Sequence, residues 1–366
     1  MLRRAGEEHA DPTKGGTSME GRHEQDSAPA DGRASASFLI DEALMFYYPA
    51  ALRAMAATGV ADHLADGPRT VEDLARLTGV DTQSLYRALR VSATRGIFEE
   101  LDDGRFRLTP TGDALRTDAP LSARSAVLML TDQSMWRPAG EMERCLQRGG
   151  PAFDDIFGMP FFDHFAQDQA TAAIFHHGMA AMSAQENAPI AAAYEFPDSG
   201  VVVDVGGGQG GLLLAVLGRR GGLRGVLFDA EHVLRHHLLD VTETGGRWEP
   251  AVGDFFTEVP KGDVYLLKRI LHDWDDDQCV TILRNCRTAM RPGGRILVID
   301  AVVPPGNAPH QAKLVDLLLM ASLVGRERTA QEFSRLFEAA DLQLSRVVPT
   351  GTVLSIVEAT PKDPDG

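Results

Sequence analysis

Apolar positions divide the chain into stretches of different period. Residues 1–37 show no periodicity and are dominated by Gly, Ala, Ser, Asp and Glu, which predicts a disordered tail with Met19 as an alternative start. The character changes at Phe38. Residues 38–55 are helical in content but apolar on more than one face, and a helix greasy nearly all round must be covered on several sides. At an N-terminal position that cover is expected to come from a partner chain. Two short amphipathic patterns follow at 68–80 and 81–91. Thr70 and Asp81 are their predicted N-caps, and Gly79 stops the first. Residues 96–110 then alternate around Asp102-Asp103-Gly104, as a hairpin does. Helix, turn, helix, hairpin is the order of a winged helix.

Residues 121–190 read as mostly helical and carry a Met- and aromatic-rich stripe that includes Met129, Met135, Trp136, Phe153, Phe165 and Phe175. Most of such a stripe belongs to a core; part of it is expected to line a pocket for a flat apolar ligand. At 201–215 the period changes again. Val201-Val-Val-Asp-Val enters a run of glycines and leaves it in an apolar helical pattern, which reads as strand, tight turn, helix. Further short strands are predicted at 225–229, before Gly253, from Asp263 and at 296–300. Asp275-x-x-Gln278 caps a helix with Cys279, Ile282, Leu283, Cys286 and Met290 on one face. Residues 342–349 and 353–359, around Thr350-Gly351, close the chain as an antiparallel hairpin. The predicted organisation is a tail (1–37), a winged-helix unit (38–120), a helical connector (121–196) and an α/β domain (197–360).

Composition narrows the classes. The 366 residues suffice for two domains with cores, and 44% hydrophobic with 24% charged residues is ordinary for a soluble globular protein. A formal net charge of −16 opposes polyanion binding. Arg87, Arg90 and Arg95 lie along the second helix of the winged unit, but its hairpin carries Glu99, Glu100, Asp102 and Asp103, which would face phosphates with like charge. A scaffold and dimer interface is therefore favoured over DNA binding, and no nucleic-acid partner is expected. Cys145, Cys279 and Cys286 form no pairing framework. No segment approaches the ~20 apolar residues of a membrane span, and Arg3 and Arg4 precede no apolar signal core, so a cytoplasmic protein is expected. No metal is expected either, because His176/His177 and His236/His237 are adjacent pairs that point to different faces of a helix.

The glycine turn carries the candidate chemistry. Glycines let a ligand lie against bare backbone, and the following helix N-terminus offers unpaired N–H groups, so something anionic or nucleotide-like is expected. Gly206-x-Gly208-x-x-Gly211 satisfies the dinucleotide pattern literally, and Asp229 at the next strand end suits a ribose diol, which makes a nicotinamide enzyme a serious rival. Asp254 and Phe255 suit an adenine amino group and face. The closing hairpin favours the methyltransferase sheet, since a dinucleotide fold would keep adding parallel strands through helical crossovers.

Val203-Asp-Val-Gly-Gly-Gly-x-Gly, Gly253-Asp-Phe-Phe, Leu267-Lys-x-Ile-Leu-His-Asp-Trp and Arg291-Pro-Gly-Gly-Arg occur in this order. Together they resemble the S-adenosylmethionine-dependent O-methyltransferases of the caffeate/acetylserotonin and bacterial antibiotic type, from about residue 38 to the C-terminus. The resemblance implies a Rossmann-like class I methyltransferase sheet, mostly parallel with a closing antiparallel hairpin, preceded by a mainly helical winged-helix dimerisation domain, and a homodimer. It implies that Gly206 and Gly208 approach the methionine moiety, Asp229 the ribose, Asp254 and Phe255 the adenine, and Lys268 the nearby backbone and adenine edge. Phe175, Met179 and Ser183 match the helix that shuts the cofactor in from the other side, and His176 stands where the family usually has Asn.

His272 matches the family's general base, with Asp300 and Glu327 as its flanking acids; Asp300 is shorter than the Glu of plant members. In-line methyl transfer to a hydroxyl is implied, with alignment as the largest lever (effective molarities of ~10⁵–10⁸ M) and base catalysis adding ~10²–10⁴-fold. Trp136, Phe161, Phe162, Met182, Leu318, Leu319 and Met320 form an apolar lining that suits an aromatic or polycyclic hydroxyl compound of secondary metabolism. The alternatives are a relative that kept the cofactor for hydroxylase-like or pericyclic chemistry, and a winged-helix regulator that senses a small ligand.

Overall fold

The structure, a computed structural model, describes residues 32–235, 237–239 and 244–362. The predicted tail falls outside them up to residue 31, as does His236. From Gly32 the chain is helical (Gly32–Leu44), so the helix begins before the change of composition at Phe38, and residues 32–37 are not tail. The contacts divide the chain into two compact units at Tyr47/Tyr48. In the first, the helix buries no residue, and Phe38, Leu39, Ile40, Leu44, Phe46 and Tyr47 are exposed.

The second unit begins with a small helical core. Thr70 Oγ1 accepts from the Asp73 N–H at 3.2 Å and Asp81 Oδ1 from the Ser84 N–H at 2.8 Å, which starts the helices Val71–Thr78 and Thr82–Ala93 where their caps predict. Gly79 ends the first at φ 73, a left-handed cap that glycine adopts without steric cost. β1 (Phe98–Glu100) and β2 (Phe106–Leu108) pair antiparallel, and Phe98 and Phe106 turn inward onto Leu74, Leu85 and Leu89. On the hairpin, Glu99 pairs with Arg107 and Asp103 with Arg105.

A seven-stranded sheet organises the rest, in the order β5-β4-β3-β6-β7-β9-β8. β3 (Gly200–Val205), β4 (Leu223–Asp229), β5 (Trp248–Val252), β6 (Gly262–Lys268) and β7 (Met290–Asp300) are parallel. β9 (Ser355–Pro361) runs antiparallel between β7 and β8 (Leu342–Pro349). Helices cover both faces, so the strands bury both sets of alternate side chains. Val202, Leu266 and Leu297 face Leu213 and Val216 of the helix Gly211–Arg219 and Ile190 of the helix Gln169–Ala193. Val203, Leu267 and Val298 face Ile282 and Leu283 of the helix Asp276–Ala289 and Phe333 of the helix Ala330–Ala339. Strand order reverses at β3, which has β4 on one side and β6 on the other. A crevice at the carboxyl ends of β3 and β6 is where such a sheet takes its ligand.

Candidate active site

The glycine turn lies at that crevice. Gly206 has φ +65 and donates to the Phe228 carbonyl at 2.8 Å; a Cβ there would fall 2.5 Å from Ile270 Cδ1. Gly208, at φ +58, has open space where its Cβ would stand, so its backbone is bare to an incoming ligand. Gly210 caps the helix Gly211–Arg219 at φ 79, leaving its first N–H groups toward the crevice. Behind the turn, Asp204 is buried with Oδ2 unpartnered among the described residues, and burial pushes its carboxyl up to about 7.

Asp229 closes the next strand. Its Oδ2 accepts from the Gly208 N–H at 2.8 Å and its Oδ1 from the Ala230 N–H at 2.7 Å. Each carboxylate oxygen has a second lone pair, so a diol can still be accepted. Burial raises this carboxyl against the pull of those two N–H groups. Asp254 Oδ1 accepts from the Phe256 N–H at 2.9 Å, and the Phe255 ring meets Trp274 edge-on at 6.1 Å. These groups fit an adenosyl cofactor: bare backbone at Gly208, a helix N-terminus, a carboxylate at the end of β4, and an acid with an aromatic ring beyond it.

Lys268, at the end of β6, is tied to polar side chains. Its ammonium donates to Ser183 Oγ at 2.6 Å and Asn187 Oδ1 at 3.0 Å and pairs with Glu186 Oε2 at 3.1 Å. Three donors thus meet three acceptors on the helix Gln169–Ala193. Burial pushes the ammonium down and Glu186 opposes that. Arg269, at φ 55, also pairs with Glu186. Burial alone would raise the Glu186 carboxyl, but Arg269 and Lys268 hold it below its usual range. Sequence reasoning missed Glu186, Asn187 and Arg269. The available signal was Ser183, Glu186 and Asn187, a polar i, i+3, i+4 set on an otherwise apolar helix.

The predicted lining separates into groups. The Phe175 ring stacks on Phe165 at 4.5 Å and meets Phe161 edge-on at 5.7 Å, within a cluster that includes Met135, Phe153 and Leu318. Phe175 is therefore part of the aromatic wall. Met179 and Met182 are half-buried further along the same helix, and Trp136 is half-buried on the helix Gln133–Gly140. Phe162 stacks on Trp274 at 5.5 Å, tying the connector to the His272 segment. Leu319 is buried, while Met320 packs in a different cluster with Cys145 and Ala321 and does not join Leu318.

His272 lies in a short 3₁₀ turn, Leu271–Asp273, just past β6. Its Nδ1 is 3.0 Å from Glu327 Oε1 and its Nε2 is 3.4 Å from Asp273 Oδ1. The imidazole and Glu327 are buried, and Asp300, at the end of β7, is fully so. Glu327 makes the predicted contact; both Asp300 oxygens lack a hydrogen-bond partner among the described residues. Burial would lower the imidazole, but Asp273, Glu327 and Asp300 together raise it to about 9. Burial pushes Asp273 and Asp300 up to about 6. Asp273 was not singled out from the sequence, although it adjoins His272. Among the described residues no group of three or more His, Cys, Asp or Glu is placed to hold a metal, and no helix is long and apolar enough to cross a membrane.

Comparison with known proteins adds the family. Residues 140–343 match the model of an O-methyltransferase domain and residues 40–118 that of an O-methyltransferase dimerisation domain. The phenazine O-methyltransferase PhzM of Lysobacter antibioticus is 38% identical over 328 residues, covering 89% of this chain and 96% of that protein. Among solved structures, CalO1, a methyltransferase in calicheamicin biosynthesis in its SAH-bound form, has a TM-score of 0.85 and 49% identity, covering 91% of this chain and all of that one. NcsB1, an O-methyltransferase from neocarzinostatin biosynthesis in complex with S-adenosylmethionine and 2-hydroxy-5-methyl naphthoic acid, has a TM-score of 0.72 and 34% identity, covering 86% and 95%. With the glycine crevice at the reversal of strand order and the His272–Glu327 pair beside it, these likenesses settle the assignment: the chain belongs to the S-adenosylmethionine-dependent O-methyltransferase family.

Proposed function

We propose that this protein methylates a hydroxyl, phenolic in character, of an aromatic or polycyclic small molecule in secondary-metabolite assembly, with His272 as general base, acting in the cytoplasm as a homodimer through its N-terminal domain. The observation that carries the reading is the buried His272–Glu327 pair at the carboxyl end of β6, next to the crevice. S-adenosylmethionine supplies, when bound, an electrophilic methyl group. Gly206, Gly208, Asp229, Asp254 and Phe255 are the groups that would hold it. Met179 and Ser183 lie on the helix that packs beside the turn, where a Cβ on Gly211 would fall 2.6 Å from Asn187.

Glu327 accepts from Nδ1–H, which fixes the imidazole's orientation, and Nε2, 3.4 Å from Asp273 Oδ1, is the nitrogen that would take the acceptor hydroxyl's proton. An ordinary imidazole, near 6.5, is about 3.5 units below a phenol near 10, so holding the phenolic proton would be uphill by roughly 5 kcal/mol. Raised to about 9, His272 reduces that gap to roughly 1.4 kcal/mol. The charges of Asp273 and Asp300 thus strengthen the base. The aromatic wall of Phe161, Phe165 and Phe175, with the Phe162–Trp274 stack, supports a flat ring system as acceptor.

The test is calorimetry of the purified protein with S-adenosylmethionine and S-adenosylhomocysteine, followed by incubation with a panel of phenolic and polycyclic hydroxyl compounds. One S-adenosylhomocysteine per methylated product is the expected stoichiometry. Cofactor binding with conversion of acceptors but no S-adenosylhomocysteine would replace methyl transfer with other chemistry.

A further inference from the structure

Arg328 has the largest of the fully buried side chains among the described residues, with 1% exposure. Its guanidinium reaches across the turn that carries His272. Nη1 donates to the Leu271 carbonyl at 2.7 Å, Nη2 to the Trp274 carbonyl at 2.9 Å, and Nη2 and Nε to Asp276 Oδ1 at 2.8 and 3.2 Å. Leu271 and Trp274 bracket His272 and Asp273, so one planar fork holds both ends of the turn. The main chain of Arg328 is fixed on its other side: its carbonyl accepts from the Val303 N–H at 2.9 Å, just beyond the strand end that carries Asp300. The preceding residue, Glu327, grips the imidazole, and its own N–H donates to Asp316 Oδ1 at 2.9 Å. At Gly325 a Cβ would fall 2.0 Å from the His272 carbonyl oxygen, so the two backbones are in contact.

We infer that Arg328 is a positioning residue for methyl transfer, whose guanidinium sets the separation of the His272 imidazole and the Glu327 carboxylate by joining the two segments that carry them. The inference rests on the reading of His272 as base. A buried guanidinium is expensive to desolvate, and an apolar side chain would fill its volume at lower cost. What an apolar side chain could not do is tie two carbonyls and a carboxylate into a fixed frame. Lysine carries the charge but presents it as a point rather than a fork, so it cannot span both carbonyls. The charged groups that bear on the imidazole are Asp273 on its own turn, Asp300 at the end of β7, and Glu327 on the clamping segment; Arg269, just past β6, bears on Asp273 and Asp300, and Asp276 faces the guanidinium.

The experiment compares the full-length protein with R328K and D276N by turnover, cofactor calorimetry, thermal unfolding, and titration of the His272 ring by carbon-labelled histidine NMR, assigned by its loss in H272A. Because a misplacement of about 1 Å costs on the order of 10²-fold, R328K is expected to lower kcat by about 10- to 100-fold, leave cofactor Kd within about twofold, and move the His272 midpoint down toward an ordinary imidazole. D276N keeps both carbonyl bonds and slackens only the counter-ion, so a smaller loss and a smaller shift in the same direction are expected. A folded R328K with kcat within twofold of the parent, an unmoved His272 midpoint and only a lower Tm would overturn the inference. Should R328K not fold, D276N decides alone: unchanged turnover with an unchanged midpoint overturns it. H272A separates the two readings. If H272A turns over like the parent while R328K moves the midpoint, the base fails and with it the role of Arg328 in methyl transfer, leaving only its hold on the ring; if H272A is slow and R328K is not, the positioning alone fails.

Discussion

Glu327 Oε1 stands 3.0 Å from Nδ1 of His272, while its other oxygen meets no partner among the described residues. One oxygen of a buried carboxylate thus fixes the ring, and the negative charge serves the proton on it. Removing the ring should remove the base while leaving the cofactor groups in place. His272→Ala is expected to lower kcat by roughly 10²–10⁴-fold with cofactor Kd unchanged, as read by initial rates and calorimetry. Glu327→Gln keeps the shape and loses the charge, and should cost on the order of 10–100-fold, as outer-shell partners of a working histidine do. Parental turnover in H272A across neutral pH would remove His272 from the mechanism.

The pH dependence follows from the same cluster, and stability and activity should move in opposite directions. His272 is raised to about 9 from an ordinary 6.5, so the folded state binds its proton more tightly than the unfolded state does. The stabilisation is therefore complete below about 6.5 and is lost as pH rises through about 9. Tm should fall across that window. Turnover of a weakly acidic phenol should rise across it, because the imidazolium and the phenol must together lose one proton to reach the reactive pair. H272A should flatten both curves.

Glu186 is the shared anion of two buried cations, Lys268 and Arg269. Glu186→Ala removes the carboxylate that both pair with, and a loss of about 3–5 kcal/mol is expected by denaturant unfolding. Cofactor affinity should fall as well, since the helix Gln169–Ala193 would lose its hold on the end of β6. A stability change below about 1 kcal/mol would mean that the pair is solvated in solution.

Gly206 and Gly208 share a left-handed backbone but differ in surroundings. Gly208→Ala adds a methyl to open space, so the ligand-free protein should lose only about 1–2 kcal/mol from the positive φ. Cofactor Kd should nevertheless rise at least about tenfold, because the methyl occupies the surface on which the ligand lies. Gly206→Ala also meets Ile270, and its larger loss should appear in Tm before any ligand is added. Equal cofactor affinity in G208A and the parent would move the cofactor off this turn.

Much of the fold is legible in the sequence because it rests on local chemistry. Asp275 and Gln278 form the reciprocal capping box that their spacing predicts. The face Cys279, Ile282, Leu283, Cys286 is buried as its spacing predicts, but the helix ends at Ala289 and Met290 is half-buried at the start of β7. The aromatic residues of the connector do pack together, but which of them meet is decided by helix packing, so Phe175 joins the wall and Met320 leaves it. The site was less legible. His272 and Glu327 lie 55 residues apart, and only the resemblance joined them. Arg328 and Glu327 stand in a run of alternating charge that reads as solvated surface; a backbone fold that buries both leaves no periodic trace. The partners of Lys268 were missed for the same reason, and the start of the first helix because Gly32–Ser37 has weak helical composition.

The three thiols have a practical consequence. Cys145, Cys279 and Cys286 are all buried, and burial pushes Cys279 up to about 12 and Cys286 higher still. With a value near 12, about one Cys279 in 10⁵ is thiolate at neutral pH, and the thiolate is the reactive form. Cys279 Sγ also donates to the Leu271 carbonyl at 3.1 Å, directly beneath the turn that bears the imidazole. An alkylating dye should therefore stay silent toward the native protein, and the rate at which Cys279 becomes labelled would time how often that turn lifts from its seat.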